Sequence, residues 1–299
     1  MHTAARGLWA FSVCFVLVAC SSGDAATPTA TTPAPTPTAA ADAAAPLTAG
    51  TEESGEPDGG QQRRVRQRRP GWLGTRVLPR RPDGFGEVRA TPPRLRDRRL
   101  PTIDVLPAPS TARFGWSIAP VPDDVLARST WSRHCPVRRV ELRYATVTFH
   151  GFEGRPHTGE LLVHRAVARD VVRVFHQLYR LRFPIEEMRV VRTDELDLPP
   201  TGDGNNTTAF VCRPSRGSTS WSEHAYGRAV DVNPFHNPYS KGGLVLPELA
   251  SAYLDRDRDR PGMITPDGPV VGAFERIGWR WGGDWRSVSD WMHFSVSGR

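Results

Sequence analysis

The distribution of apolar side chains along this chain limits how much of it can fold. Residues 21–62 are mostly Ala, Thr, Pro, Gly and Ser, with Leu47 as the single large apolar side chain, so burial cannot offset the conformational entropy of ordering them. Between residues 63 and 99, thirteen arginines face Asp83, Glu87 and Asp97, a local charge of +10 against +7 for the whole 299-residue chain. The basic character therefore belongs to this stretch, which reads as a charge-extended linker. Beyond it, residues 100–299 carry 25 basic and 23 acidic side chains and are long enough for one core.

The first residues read as an export signal. Arg6 precedes an apolar run over residues 8–18 that is too short to span a bilayer, and Leu-Val-Ala-Cys follows at residues 17–20. The expected organisation is a lipoprotein signal peptide over residues 1–19, lipidation at Cys20, a disordered tether over 20–62, an Arg-rich linker over 63–99 and a folded domain over 100–299. Such a product is extracytoplasmic and lipid-anchored to a bacterial membrane. The basic run then meets anionic headgroups or acidic wall polymers, or is only a spacer. No nucleic-acid reader motif accompanies it, so nucleic acid is not an expected partner. Of the four cysteines, Cys135 and Cys212 fall in the folded part. An oxidising compartment favours a disulfide between them, and two free thiols are the alternative.

Periodicity within residues 100–299 points to an α+β fold with a small, mostly antiparallel sheet and flanking helices. Alternation places Val140, Leu142 and Tyr144 on one side of a strand, and Gly-Phe-Glu-Gly at residues 151–154 turns it toward a second strand around residues 159–164. Val167, Val171, Val174, Phe175 and Leu178 fall at helical spacing, and Pro184 lies beyond the end of that helix. A short helix ending at Gly278, a strand over residues 227–232 and a last strand over residues 291–296 complete the outline.

His224 and Asp231 lie on a turn-plus-strand unit in which Gly227 and Ala229 leave room for a bend and a close approach, and His293 follows Asp290 by three residues. A hydrolytic zinc site takes about three His or carboxylate ligands and keeps a position open for water, whose pKa falls toward about 7. The pattern Ser222-x-His224-x-x-Gly227-x-Ala229-x-Asp231, followed by Asp290-x-x-His293-Phe294, resembles the zinc D-alanyl-D-alanine carboxypeptidase family. This family of VanY-type peptidases also contains L-alanyl-D-glutamate endopeptidases. The resemblance implies a Hedgehog/D-Ala-D-Ala peptidase-like fold, a zinc ion held by His224, Asp231 and His293, and Asp290 as general base where many relatives carry Glu. It also implies an arginine upstream of the first ligand to steady the oxyanion, for which Arg213 is the candidate and Arg216 the fallback.

Ser222, Arg216 and Trp281 are candidate substrate-binding residues, and the tryptophans at 279, 281, 285 and 291 read as groove lining or as core. His236 is a conceivable fourth ligand, although three already leave the open site that catalysis needs. Residues 255–262 imitate the start of a calcium loop, but Arg260 stands where glycine is required. Lys241 is the only lysine, which reads as a matter of composition. The function implied is hydrolysis of peptidoglycan stem peptides, first of all removal of the terminal D-alanine. Cleavage of another stem-peptide bond and a catalytically silent, wall-binding lipoprotein are the alternatives. Oligomeric state is not legible.

Overall fold

The computed structural model describes residues 67–215 and 218–299. The expected signal peptide, Cys20, the tether, the first residues of the basic stretch and Arg216 lie outside the described residues. In chain order the described elements are β1 (Trp116–Ala119), α1 (Asp123–Arg128), β2 (Leu142–His150), β3 (Pro156–His164), α2 (Ala168–Arg180), β4 (Glu187–Met188), β5 (Asn206–Thr207), β6 (Ala229–Asp231), β7 (Tyr239–Lys241), β8 (Leu244–Leu246), α3 (Pro269–Glu275), β9 (Arg280–Trp281), β10 (Ser289–Asp290) and β11 (His293–Ser295). None of these helices is long and apolar enough to cross a membrane.

The apolar pattern of α2 buries Val171, Val174, Phe175 and Leu178 against the inner face of the antiparallel sheet β1–β2–β3, where Ala145, Val147 and Leu161 meet them. Strand β2 begins at Leu142, two residues beyond the Val140 that alternation places on it. Val140 lies in a 3-10 turn and is exposed, because the carboxylate of Glu141 folds back on the Arg138 backbone N–H. The same core continues into α3 and the antiparallel sheet β6–β11–β9, with Phe274 stacked on Phe294 at 3.8 Å between ring centroids. The architecture is mixed, with several small antiparallel sheets and one parallel pair, β4–β5, instead of a single sheet.

The basic stretch departs from its sequence reading. From residue 67 onward it packs as part of the fold: Leu78, Leu95 and Leu100 are buried with Phe235, Val245, Leu249 and Tyr253 in a second core. Arg98 is 2 % exposed. Its Nε and Nη2 donate to the two oxygens of Glu186 at 2.7 and 2.8 Å, and Nη1 donates to the Asp203 carbonyl at 2.8 Å. Its guanidinium lies 4.4 Å from the centre of the Phe235 ring. A guanidinium enters a core only when its donors are matched in this way, and the matching carboxylate lies 88 residues away. The folded unit accordingly begins well before residue 100.

Candidate metal centre

The first site residue is positioned by a short 3-10 turn, Glu223–Tyr226. The Oγ of Ser222 accepts from the backbone N–H of His224 at 3.3 Å and caps this turn, and Gly227 ends it in the left-handed region at φ 66°. A Cβ on Gly227 would stand 2.7 Å from the backbone nitrogen of His164. The glycine is therefore required twice, for its dihedral and for its seat on β3. The chain then enters β6, where Asp231 faces His293 of β11 directly across an antiparallel pair. Direct cross-strand partners share a face, so the sheet register itself brings these two side chains together.

The three donors converge. His224 Nε2 lies 3.1 Å from His293 Nδ1 and 3.2 Å from Asp231 Oδ1, and His293 Nδ1 lies 3.0 Å from that oxygen. Each imidazole is held from behind. His224 Nδ1 donates to the Ala209 carbonyl at 2.5 Å, and His293 Nε2 donates to the Arg299 backbone oxygen at 3.0 Å. In the neutral rings this fixes the tautomers with lone pairs facing inward. Three acceptor atoms thus point at one another inside a buried site, an arrangement that repels itself unless a cation or protons lie between them. The spacing is close to the ~3.3 Å that separates donors of a tetrahedral ion with bonds of about 2.0–2.1 Å. The set fits a divalent cation.

Asp290 flanks the cluster. Its Oδ1 is buried and has no hydrogen-bond partner, an orphaned acceptor that native interiors rarely tolerate without a function. Gly282 makes room for it, since a Cβ there would stand 2.7 Å from the Asp290 carbonyl oxygen and 3.3 Å from His293 Cβ. Burial raises the Asp290 carboxyl to about 7 and the charge of Asp231 adds to this, while His293 and Arg213 act against it. For Asp231 burial acts upward, but the two imidazoles outweigh it and hold the carboxyl well below its ordinary range. For His293 burial acts downward, and Asp231 overcomes it to raise the ring to about 9. Opposed shifts of this kind, from burial and close charge partners together, are what functional sites show. Burial also lowers the Arg213 guanidinium, against the pull of the Asp231 and Asp290 charges, and its Nη1 donates to the Pro214 carbonyl at 3.1 Å.

The remaining candidates sort by their contacts. Cys135 and Cys212 are disulfide-bonded, with Cα atoms 5.8 Å apart, so the residue preceding Arg213 is tied to the connection between α1 and β2. Ser222 is engaged in capping. Trp281 belongs to the core, with its indole N–H donating to the Trp291 carbonyl at 2.9 Å, and Trp279 is buried beside it. Trp285 is half-buried and its ring lies 5.5 Å from that of His293. His236 is no part of the cluster. It sits in the second core, donating from Nε2 to the Arg98 carbonyl at 2.9 Å. Tyr239, which no motif signalled, stands directly opposite Asp290 in the β7–β10 pair.

A His–Asp–His donor set with a spare carboxylate beside it can place a cation and a base together, and the sequence comparison adds a likeness to peptidases. Residues 216–296 match the model of the family described as D-alanyl-D-alanine carboxypeptidase. The matched segment carries His224, Asp231, Asp290 and His293, so the likeness to this family falls on the candidate site itself. No curated protein and no solved structure matches the chain.

Proposed function

We propose that the protein is a zinc-dependent D,D-carboxypeptidase that removes the terminal D-alanine from peptidoglycan stem peptides, exported and anchored through a lipidated Cys20. The observation that carries this reading is the convergence of His224 Nε2, Asp231 Oδ1 and His293 Nδ1 within 3.2 Å of one another, next to a buried carboxylate with an unpartnered oxygen. Zinc, when bound there, supplies Lewis acidity toward the scissile carbonyl and lowers the pKa of a water toward about 7.

The protein's own groups do the rest. The carbonyls of Ala209 and Arg299 keep both imidazoles in the ligating tautomer. Asp290 accepts the proton of the attacking water at its carboxylate and returns it to the departing amine. Positive charge at the cluster draws the Asp290 pKa down from about 7, which keeps it ionised and able to act as a base near neutrality. Arg213, whose charge is felt by both carboxylates, donates to the oxyanion that develops on the carbonyl.

Mass spectrometry of defined muropeptides incubated with the protein, with and without chelator, tests the reading. Loss of one alanine, abolished by the chelator, is the expected result. Cleavage inside the stem would make the protein an endopeptidase, and an unchanged muropeptide with no metal uptake would make it a silent wall-binding protein.

A further inference from the structure

The two imidazoles of the cluster are held from behind by unequal supports. The acceptor behind His224 is the carbonyl of Ala209, a fully buried residue of the main core. The acceptor behind His293 is the backbone oxygen of Arg299, an exposed residue beyond the end of β11. Such an oxygen stays in place only if something draws the chain back toward the sheet, and Ser295 does so. It follows His293 by two residues on β11 and so shares its face, and it is fully buried. Its Oγ accepts from the backbone N–H groups of Gly298 at 3.1 Å and Arg299 at 3.2 Å, and it donates to the Arg299 oxygen at 2.9 Å. A serine hydroxyl has one donor and two acceptor sites, and all three are engaged in this turn.

Two further features fit the turn to its place. The indole N–H of Trp285, whose ring lies 5.5 Å from that of His293, donates to the Gly298 carbonyl at 2.9 Å. Gly298 takes φ 73°, and a Cβ there would stand 2.7 Å from Arg280 Cδ. The Arg299 oxygen thus receives two donors at once, the Ser295 hydroxyl and His293 Nε2 at 3.0 Å. We propose that Ser295 is a positioning residue, whose hydroxyl folds residues 295–299 into the acceptor that keeps the His293 proton on Nε2 and its Nδ1 lone pair turned toward His224 and Asp231. The inference rests on the zinc reading given above and adds to it a residue that touches neither ion nor substrate. Without the hydroxyl, the backbone N–H groups of Gly298 and Arg299 turn to water and the Arg299 oxygen leaves with them. Asp231 Oδ1 lies 3.0 Å from His293 Nδ1, so a ring released from Arg299 can adopt the other tautomer and donate to that carboxylate. Both atoms then drop out of the ligand set.

Zinc affinity of the full chain, measured by competition with a chromophoric chelator, tests the proposal. Ser295→Ala should bind zinc about 10–100-fold more weakly than wild type, the usual cost of losing the group behind a ligating imidazole. Trp285→Phe, which removes the indole N–H and keeps an aromatic ring, should weaken binding in the same direction by a smaller factor. General loosening of the fold is separated by the ring N–H signals in long-range 1H–15N NMR, recorded with excess zinc. Ser295→Ala should lose the His293 Nε2–H signal and keep the His224 Nδ1–H signal, which depends on Ala209. Unchanged zinc affinity in Ser295→Ala, or loss of both ring signals together, would overturn the proposal. In a protein that takes up no zinc, selective loss of the His293 signal would uphold the role of Ser295 and count against the zinc reading alone.

Discussion

Arg98 and Glu186 form a fully enclosed ion pair, the guanidinium donating at 2.7 and 2.8 Å to the two carboxylate oxygens. Three further donors, from Asn205 at 2.8 Å, Arg69 at 3.2 Å and the Arg98 backbone to Tyr253 at 2.8 Å, tie the same corner together. Removing one partner strands a buried charge. Arg98→Ala should therefore lower unfolding free energy by about 3–5 kcal/mol, read from urea denaturation at pH 7. A protein that begins at Leu100 should fail to fold cooperatively, because it lacks Leu78, Leu95 and Arg98. A stable Leu100-start chain would show that the basic stretch is a spacer after all.

His236 belongs to the same corner and makes it sensitive to acid. Burial pushes the ring down to about 4, far below its ordinary 6.5. In the unfolded chain the imidazole takes up its proton first as pH falls below about 6.5, so the stability it contributes is complete above that value and is lost as pH drops toward 4. The loss amounts to about 3 kcal/mol for a shift of this size. Denaturation midpoints measured from pH 7 to pH 4 should fall more steeply for wild type than for His236→Gln. Parallel curves would exclude His236 as the titrating group.

The Cys135–Cys212 disulfide spans 77 residues, and closing a loop of that length contributes about 4 kcal/mol in the chain-entropy model. The double Ala variant should be less stable by an amount of this order. It should also turn over more slowly while keeping its metal, since Arg213 follows Cys212 directly and loses its support. Full activity in the reduced protein would separate Arg213 from the disulfide.

Arg213→Ala should lower kcat about 100-fold with metal content unchanged, the usual cost of deleting one oxyanion donor. Steady-state kinetics on a D-alanyl-D-alanine peptide measure it. An unaltered kcat would transfer the role to Arg216.

The sequence reveals the centre more readily than its surroundings, for physical reasons. His224, Gly227, Asp231, Asp290 and His293 are legible because the chemistry dictates residue type and the strands dictate spacing, down to the direct pairing of Asp231 with His293. The α2 stripe and the β2–β3 hairpin are legible because each repeats a local period. The packing of the basic stretch is not, since charge counting treats every arginine as solvated and the partner that lets Arg98 enter the core is distant in sequence. Tyr239 escapes notice for the same reason: its place beside the site comes from register with Asp290, which no spacing announces. Trp281 misleads in the other direction, its indole N–H being satisfied within the core.

Asp290 tests the division of labour within the site. Asp290→Asn should bind metal like wild type and release no D-alanine, because the amide keeps the shape of the carboxylate but cannot accept the proton. Loss of metal from this variant would make Asp290 a ligand.

Zinc content of the purified full chain, measured by elemental analysis after dialysis against micromolar zinc and then buffer, bears most directly on the claim that three side chains hold one ion. The account predicts about one zinc per chain in wild type and Asp290→Asn, and nearly none in His224→Ala, Asp231→Ala or His293→Ala. A wild-type protein without zinc, or a His224→Ala protein that retains it, would contradict it.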